Sequence, residues 1–327
     1  MTVVADPPHR PGVMSRALRG LIGWVLATLL VLTPVTSIVY LGWLMRRMRA
    51  VALRRAGLGA TYPGLVLGTS GGWIARLVGG LAANIREGLS ALLSLALATA
   101  PFSIIWLLSW WAGWENSFSK GYEQAFVGPL LGLSGVAVFS AIMIWLPMAL
   151  AHQAVENRAL AVFELRYIRS AVRHSGWGYL ILALATVIAA LPFFAGRGLV
   201  VFASDMVPGF DDMGPDQIEA IRLSMMLGLS AYSVLALWVL RSWAAGLYAR
   251  AVARALAGPE ADMWRTTALG HGDVGGKRPW KLTHWLRIVV LSVIWFGFSA
   301  QIFVAQFLNH DWHLWVTHPL LILPWIG

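Results

Sequence analysis

Apolar residues run along this chain in long blocks, and the polar ones gather between them. Six apolar segments stand out: 20–45, 89–111, 125–150, 178–203, 223–240 and 288–308. Most reach or exceed the roughly 20 residues that cross a bilayer core as helix. Within them polar and apolar residues do not alternate as in the strands of a membrane barrel. The expectation is therefore an all-α, polytopic integral membrane protein of five to six spans. Residues 1–19 form a cytoplasmic tail, and 20–327 form a single helical membrane domain. A last apolar stretch, Leu320–Gly327, is too short to cross.

The first block carries Leu32-Thr33-Pro34 near its middle. Proline has no N–H, and its ring clashes with the preceding turn. The block is either a re-entrant helical hairpin with both ends on one side or a single kinked span. Charge favours the hairpin, because Arg10, Arg16 and Arg19 precede the block against Asp6 alone, which keeps the N-terminus inside.

Charge also orients the rest. Segments 46–87, 151–176 and 241–287 hold 7, 4 and 8 basic residues against 1, 2 and 3 acidic ones. Segments 112–124 and 195–222, with the tail from 309, hold 3 basic and 8 acidic residues together. Arginine and lysine collect in cytoplasmic loops, so the first group lies inside and the second outside, with the C-terminus periplasmic or interfacial. Basic residues are 22 Arg against 3 Lys, as a GC-rich bacterial genome gives, and the membrane expected is the bacterial inner membrane. The net charge of +10 would suggest nucleic acid in a soluble domain. Here the inside bias accounts for it, and no nucleic-acid partner is expected.

Of the charged residues only Arg197, near the end of 178–203, falls inside the six apolar segments. Intramembrane charges mark proton relays and voltage sensors, so those functions are disfavoured. The absence of cysteine removes disulfides, thiolate nucleophiles and iron–sulfur ligation.

Between the third and fourth segments lies an amphipathic element. Plotted as one helix, Arg158, Arg166, Arg169 and Arg173 fall within an arc of about 80°, with Leu160, Phe163, Tyr167, Ile168 and Ala171 opposite. Such a helix either lies in the headgroup plane with its arginines on anionic phosphates or packs on the bundle as a connector. Glu164 projects on the apolar side and needs an arginine or a helix terminus as partner. Gly128, Gly132 and Gly135 give a small-residue face for close helix packing. Tryptophans gather near the segment ends, at Trp110, Trp111, Trp114, Trp177, Trp280, Trp285, Trp312 and Trp315, as an interfacial belt does. Gly88–Phe102 and Gly178–Phe193 read as diverged copies, each following a basic helical segment and closing on Pro-Phe.

Chemistry-bearing motifs are few. His310 and His313, with Asp311 between and His318 beyond, have a spacing that can share a metal, but histidines and tryptophans sitting at the membrane surface are the preferred reading. Gly270–Gly275 matches GxGxxG without a preceding strand. No catalytic set is present, and no catalytic residue, cofactor or resident metal is expected.

Two stretches, LTPVTSIVYLGWLMRRMRAVALRRAG (Leu32–Gly57) and LPMALAHQAVENRALAVFELRYIRSAVRHSGWGYL (Leu146–Leu180), resemble the polytopic membrane-protein family called domain of unknown function 4013. The similarity covers roughly residues 20–200. It implies membrane class and supplies no activity. The functional expectation is an accessory, scaffold or assembly factor of a membrane complex, partnered by anionic headgroups and by another membrane protein or a second copy. The alternative is a permease component for an uncharged or lipidic solute.

Overall fold

The computed structural model describes residues 13–68, 70–112, 126–201, 209–270 and 281–309. Among these residues every regular element is helical. In chain order they are α1 (Val13–Val31), α2 (Pro34–Arg55), α3 (Trp73–Trp110), α4 (Val127–Glu156), α5 (Leu165–His174), α6 (Gly178–Val201), α7 (Pro215–Leu256), α8 (Ala261–Trp264) and α9 (Lys281–Asn309), with short 3-10 turns at Ala159–Phe163 and Phe210–Asp212. Four helices, α3, α4, α7 and the Thr283–Ala300 part of α9, are long and apolar enough to cross a membrane, and a fifth is added if the bent pair α5–α6 counts as one span.

α1 and α2 are separate helices, broken at Leu32–Thr33. Pro34 cannot donate to the Leu30 carbonyl one turn back. The Thr36 hydroxyl donates to that carbonyl instead, at 2.6 Å, while Thr33 Oγ1 accepts from the Thr36 N–H as the N-cap of α2. The carbonyl that proline orphans is thus satisfied by a residue two places on. In α4 and α6 the helix runs on through Pro147 and Pro192. Tyrosines from neighbouring helices reach carbonyls beside each: Tyr179 donates to Ile144 and Tyr232 to Ala189, both at 2.9 Å.

α3 and α7 are longer than their apolar segments. At 38 and 42 residues they run about 57 and 63 Å, carrying the apolar core of each helix on into its arginine-bearing end. The arginines of α2, α3, α5 and the second half of α7 gather at one end of the bundle, here the basic end. Asp211, Asp212, Asp216 and Glu219 lie at the opposite, acidic end, where α7 begins.

Small residues set the closest helix contacts. A methyl group on Gly88 would stand 2.0 Å from the Ile38 carbonyl, and one on Gly42 would stand 1.7 Å from that of Asn84, so α2 and α3 touch backbone to backbone. Gly128, Gly132 and Gly135 are buried against α3. Ser109 donates to the Gly128 carbonyl at 2.6 Å and Trp106 to that of Gly132 at 3.2 Å. A Cβ at Gly135 would meet the Trp106 ring at 2.4 Å. The aromatic cluster of Phe102, Trp106, Phe139 and Phe298 fills the space around this contact.

Candidate functional site

Two of the polar regions within the bundle are built differently. The first is a network at the basic end. His152, fully buried on the last turn of α4, holds Tyr248 Oη at 2.6 Å with Nδ1 and Glu164 Oε2 at 2.8 Å with Nε2. An ionised carboxylate can only accept, so Nε2 carries the proton and the Tyr248 hydroxyl donates to Nδ1. One neutral tautomer therefore satisfies all three groups. Glu164 also takes Arg158 at 2.8 Å, the arginine partner its apolar position calls for. Burial would raise the Glu164 carboxyl, but hydrogen bonds from His152 and Arg158 outweigh it and hold the group below the usual carboxylate range.

Aromatic rings seal this relay. Tyr167 stacks on His152 at 5.2 Å, and Trp264 of α8 stands edge-on to both. The Trp264 N–H donates to Ser170 Oγ at 3.0 Å, and Ser170 donates to Glu260, which also takes Arg173 at 2.6 Å. Glu156 accepts from the backbone N–H of Ala268 at 3.0 Å. Burial holds His174 below the ordinary histidine range, against the raising effect of its bond to the Ser170 carbonyl and of Glu260.

The same network ends α5. Gly176 adopts φ +73°, a left-handed conformation that suits glycine. Arg254 donates to the His174 carbonyl at 2.8 Å and Arg287 to that of Arg173 at 2.9 Å. Two guanidinium groups thus satisfy the last carbonyls and oppose the negative end of the helix dipole. Beyond this stop the chain turns by 100° into α6. The amphipathic stretch is consequently not the single helix of the sequence plot. A 3-10 turn and a break at Glu164 precede α5, so the plotted arc does not hold for its first part. Ile168, Ala171 and Val172 are buried and Arg166, Arg169 and Arg173 exposed, while Leu160 (71%), Phe163 (44%) and Leu165 (64%) face outward rather than joining the buried side.

The second group centres on a recess between α4, α6, α7 and α9. It is a cavity of about 70 Å³ that opens at its mouth. Met143 and Pro147 come from α4, Leu182 and Phe193 from α6, Leu237 from α7 and Phe298 from α9. Thr186 and Ser233 also line it, but their hydroxyls bond back to Leu182 and Ser230 carbonyls of their own helices. The remaining polar residue that lines it is Arg241. Arg241 lies one residue past the fifth apolar segment and is partly buried. Among the described residues no hydrogen bond or ion pair reaches it.

A nearby arginine shows the contrast. The Arg47 guanidinium stands 5.5, 4.9 and 4.9 Å from the ring centres of Trp43, Tyr62 and Trp238, and donates to Ser242 at 3.3 Å. That cation is enclosed by aromatic faces. Sequence reasoning missed the His152 relay, whose partners come from distant helices, and the face of Arg241. It also missed the Gly80-Asn84-Gly88 face of α3, whose four-residue spacing was there to be read. His310, His313 and the tail around them lie outside the described residues, as does nearly all of the GxGxxG stretch, and among the described residues no metal-competent cluster forms. Comparison with family models, curated proteins and solved structures finds no match for the chain.

Proposed function

We propose that the chain is a multi-pass protein of a bacterial cytoplasmic membrane, with its basic end inside, and that it works as a scaffold or assembly factor rather than a catalyst. The observation that carries this reading is the platform made by α5. It stands at 100° to α6, so if α6 crosses the bilayer, α5 lies along its surface. Arg166 and Arg169 are exposed there, flanked by exposed Leu160, Phe163, Leu165 and Trp177. Apolar side chains beside guanidinium groups suit the boundary between acyl chains and phosphates. Each such cation adds about 1 kcal/mol of attraction to an anionic surface. The platform is held rigidly by Arg254, Arg287 and the Glu260 pairings, which suits a docking surface for a membrane partner.

Packing also supports the re-entrant hairpin. Trp24 of α1 donates to Ala231 at 3.1 Å and Tyr40 of α2 to Val234 at 2.6 Å, carbonyls less than one turn apart on α7. Ala27 and Val31 share one apolar cluster with Tyr40 and Leu44. Were α1 and α2 collinear, Ala27 and Leu44 would lie about 25 Å apart.

Purification in native-membrane nanodiscs tests the scaffold reading. A defined protein partner should accompany the wild type and be lost from Arg166→Glu/Arg169→Glu. A lone protein in both preparations overturns the reading. A second reading, a permease component for a lipidic solute, is favoured by the recess beside Arg241, and substrate-dependent uptake into liposomes would establish it.

A further inference from the structure

We infer that the recess beside Arg241 holds one acyl chain of an anionic glycerophospholipid, with the lipid phosphate on the Arg241 guanidinium. The inference is independent of whether the protein is a scaffold or a permease, and needs only that α6 and α7 cross a membrane.

The register between those helices fixes where each part of the ligand lies. α6 and α7 run antiparallel: Tyr232 bonds the Ala189 carbonyl, and a Cβ at Gly178 would touch Leu247. Arg241 therefore stands level with the first turns of α6, near Leu182, at the basic end of the recess. Phe193, against Tyr232, marks its other end. From Leu182 to Phe193 is about 16 Å of helix, half of the roughly 30 Å hydrocarbon core. The recess is as long as one leaflet is deep, with its cation at the headgroup level and apolar side chains beyond.

Chemistry narrows the occupant. An unpaired cation beside apolar walls is costly unless an anion or water meets it, and a phosphate offers a guanidinium a bidentate partner. The recess is narrow, about 70 Å³, and admits part of a slender chain. With Thr186 and Ser233 bonded to their own helices, nothing but Arg241 distinguishes one headgroup from another.

Native mass spectrometry of the full chain, reconstituted with equal amounts of dioleoyl phosphatidylglycerol and dioleoyl phosphatidylcholine, tests this. The wild type should retain one phosphatidylglycerol in preference to phosphatidylcholine. Arg241→Gln should cut that preference roughly fivefold, the equivalent of one lost cation at a headgroup, while Arg241→Lys keeps it. Ala236→Phe, which fills the recess, should lose the adduct whatever the headgroup. Unchanged preference in Arg241→Gln overturns the inference. So does preference lost in Arg166→Gln/Arg169→Gln with Arg241→Gln silent, which puts the lipid on the α5 platform, and so does retention of free oleate with no phospholipid. Should Arg241→Gln fail to accumulate, the other two variants decide: an adduct kept by Arg241→Lys and lost by Ala236→Phe supports the site, and an adduct kept by Ala236→Phe overturns it.

Discussion

The network around His152 and the recess around Arg241 both bury polar groups among apolar helices, yet only the first is closed. At the basic end each of His152, Glu164, Ser170 and Glu260 has partners within the chain, and aromatic rings cover them. These groups engage one another, so their work is architectural: they fix α4, α5, α7 and α8 to one another and set the bend into α6. In the recess the hydroxyls are engaged by their own helices and the cation is not. Buried polar groups that satisfy each other specify a structure, whereas a cation left without a protein partner identifies a place for something else.

Variants that break the closed network should cost the most. Trp264 is fully buried and touches His152, Tyr167 and Tyr248, so Trp264→Ala should destabilise by about 3–5 kcal/mol, read as a lower unfolding temperature in detergent. Gly88→Ala would force α2 and α3 apart at the Ile38 carbonyl, at a cost of about 1–3 kcal/mol. Sparing a Gly79→Ala control, where a Cβ meets nothing within 4 Å, shows the effect to be steric.

Glu164→Gln should cost about 1–2 kcal/mol at neutral pH and remove an acid-sensitive contribution. Because the folded carboxyl titrates below its unfolded value, its stabilisation is complete above the usual carboxylate pKa of about 4.3 and lost as pH falls through the folded value. The wild-type unfolding temperature should drop in that window and the Gln variant's should not. His174 also titrates low in the folded chain, so the unfolded chain takes up that proton first, and stability should begin to decline as pH falls below about 6.5. A His174→Gln profile that declines less steeply than the wild type's between there and the carboxylate range would confirm the assignment. Smallest of all is the stability effect of Arg241→Gln without lipid, close to zero because no protein partner is lost. Phosphatidylglycerol should raise the unfolding temperature of the wild type by mass action and leave that variant's unchanged. A large loss in lipid-free detergent would mean the recess belongs with the closed network after all.

Much of the helical plan was legible in the sequence because it rests on local signals. The apolar blocks give the helices of span length, Leu32-Thr33-Pro34 gives the break between α1 and α2, and Gly128, Gly132 and Gly135 give the contact with Trp106 and Ser109. The extension of α3 and α7 through Arg76, Arg86 and Arg241 was not, since no breaker marks where a span ends and its basic continuation begins. The start of the amphipathic stretch misled for the same reason: the turn at Glu164 comes from its pull toward His152, a contact made only in the folded chain. His152 lies 96 residues from Tyr248, and the face that Arg241 presents is decided by how α7 packs on α4 and α6. Neither can be read from spacing.

Orientation underlies both the platform and the leaflet assigned to the lipid, and the absence of cysteine makes it directly measurable. Single cysteines placed at Asp212 and at Arg166, both exposed, would be treated with a membrane-impermeant maleimide in intact bacterial cells. Labelling at position 212 without permeabilisation, and at 166 only after it, is the result expected with the basic end inside. The reverse pattern, or labelling of both positions from the same side, would contradict the account.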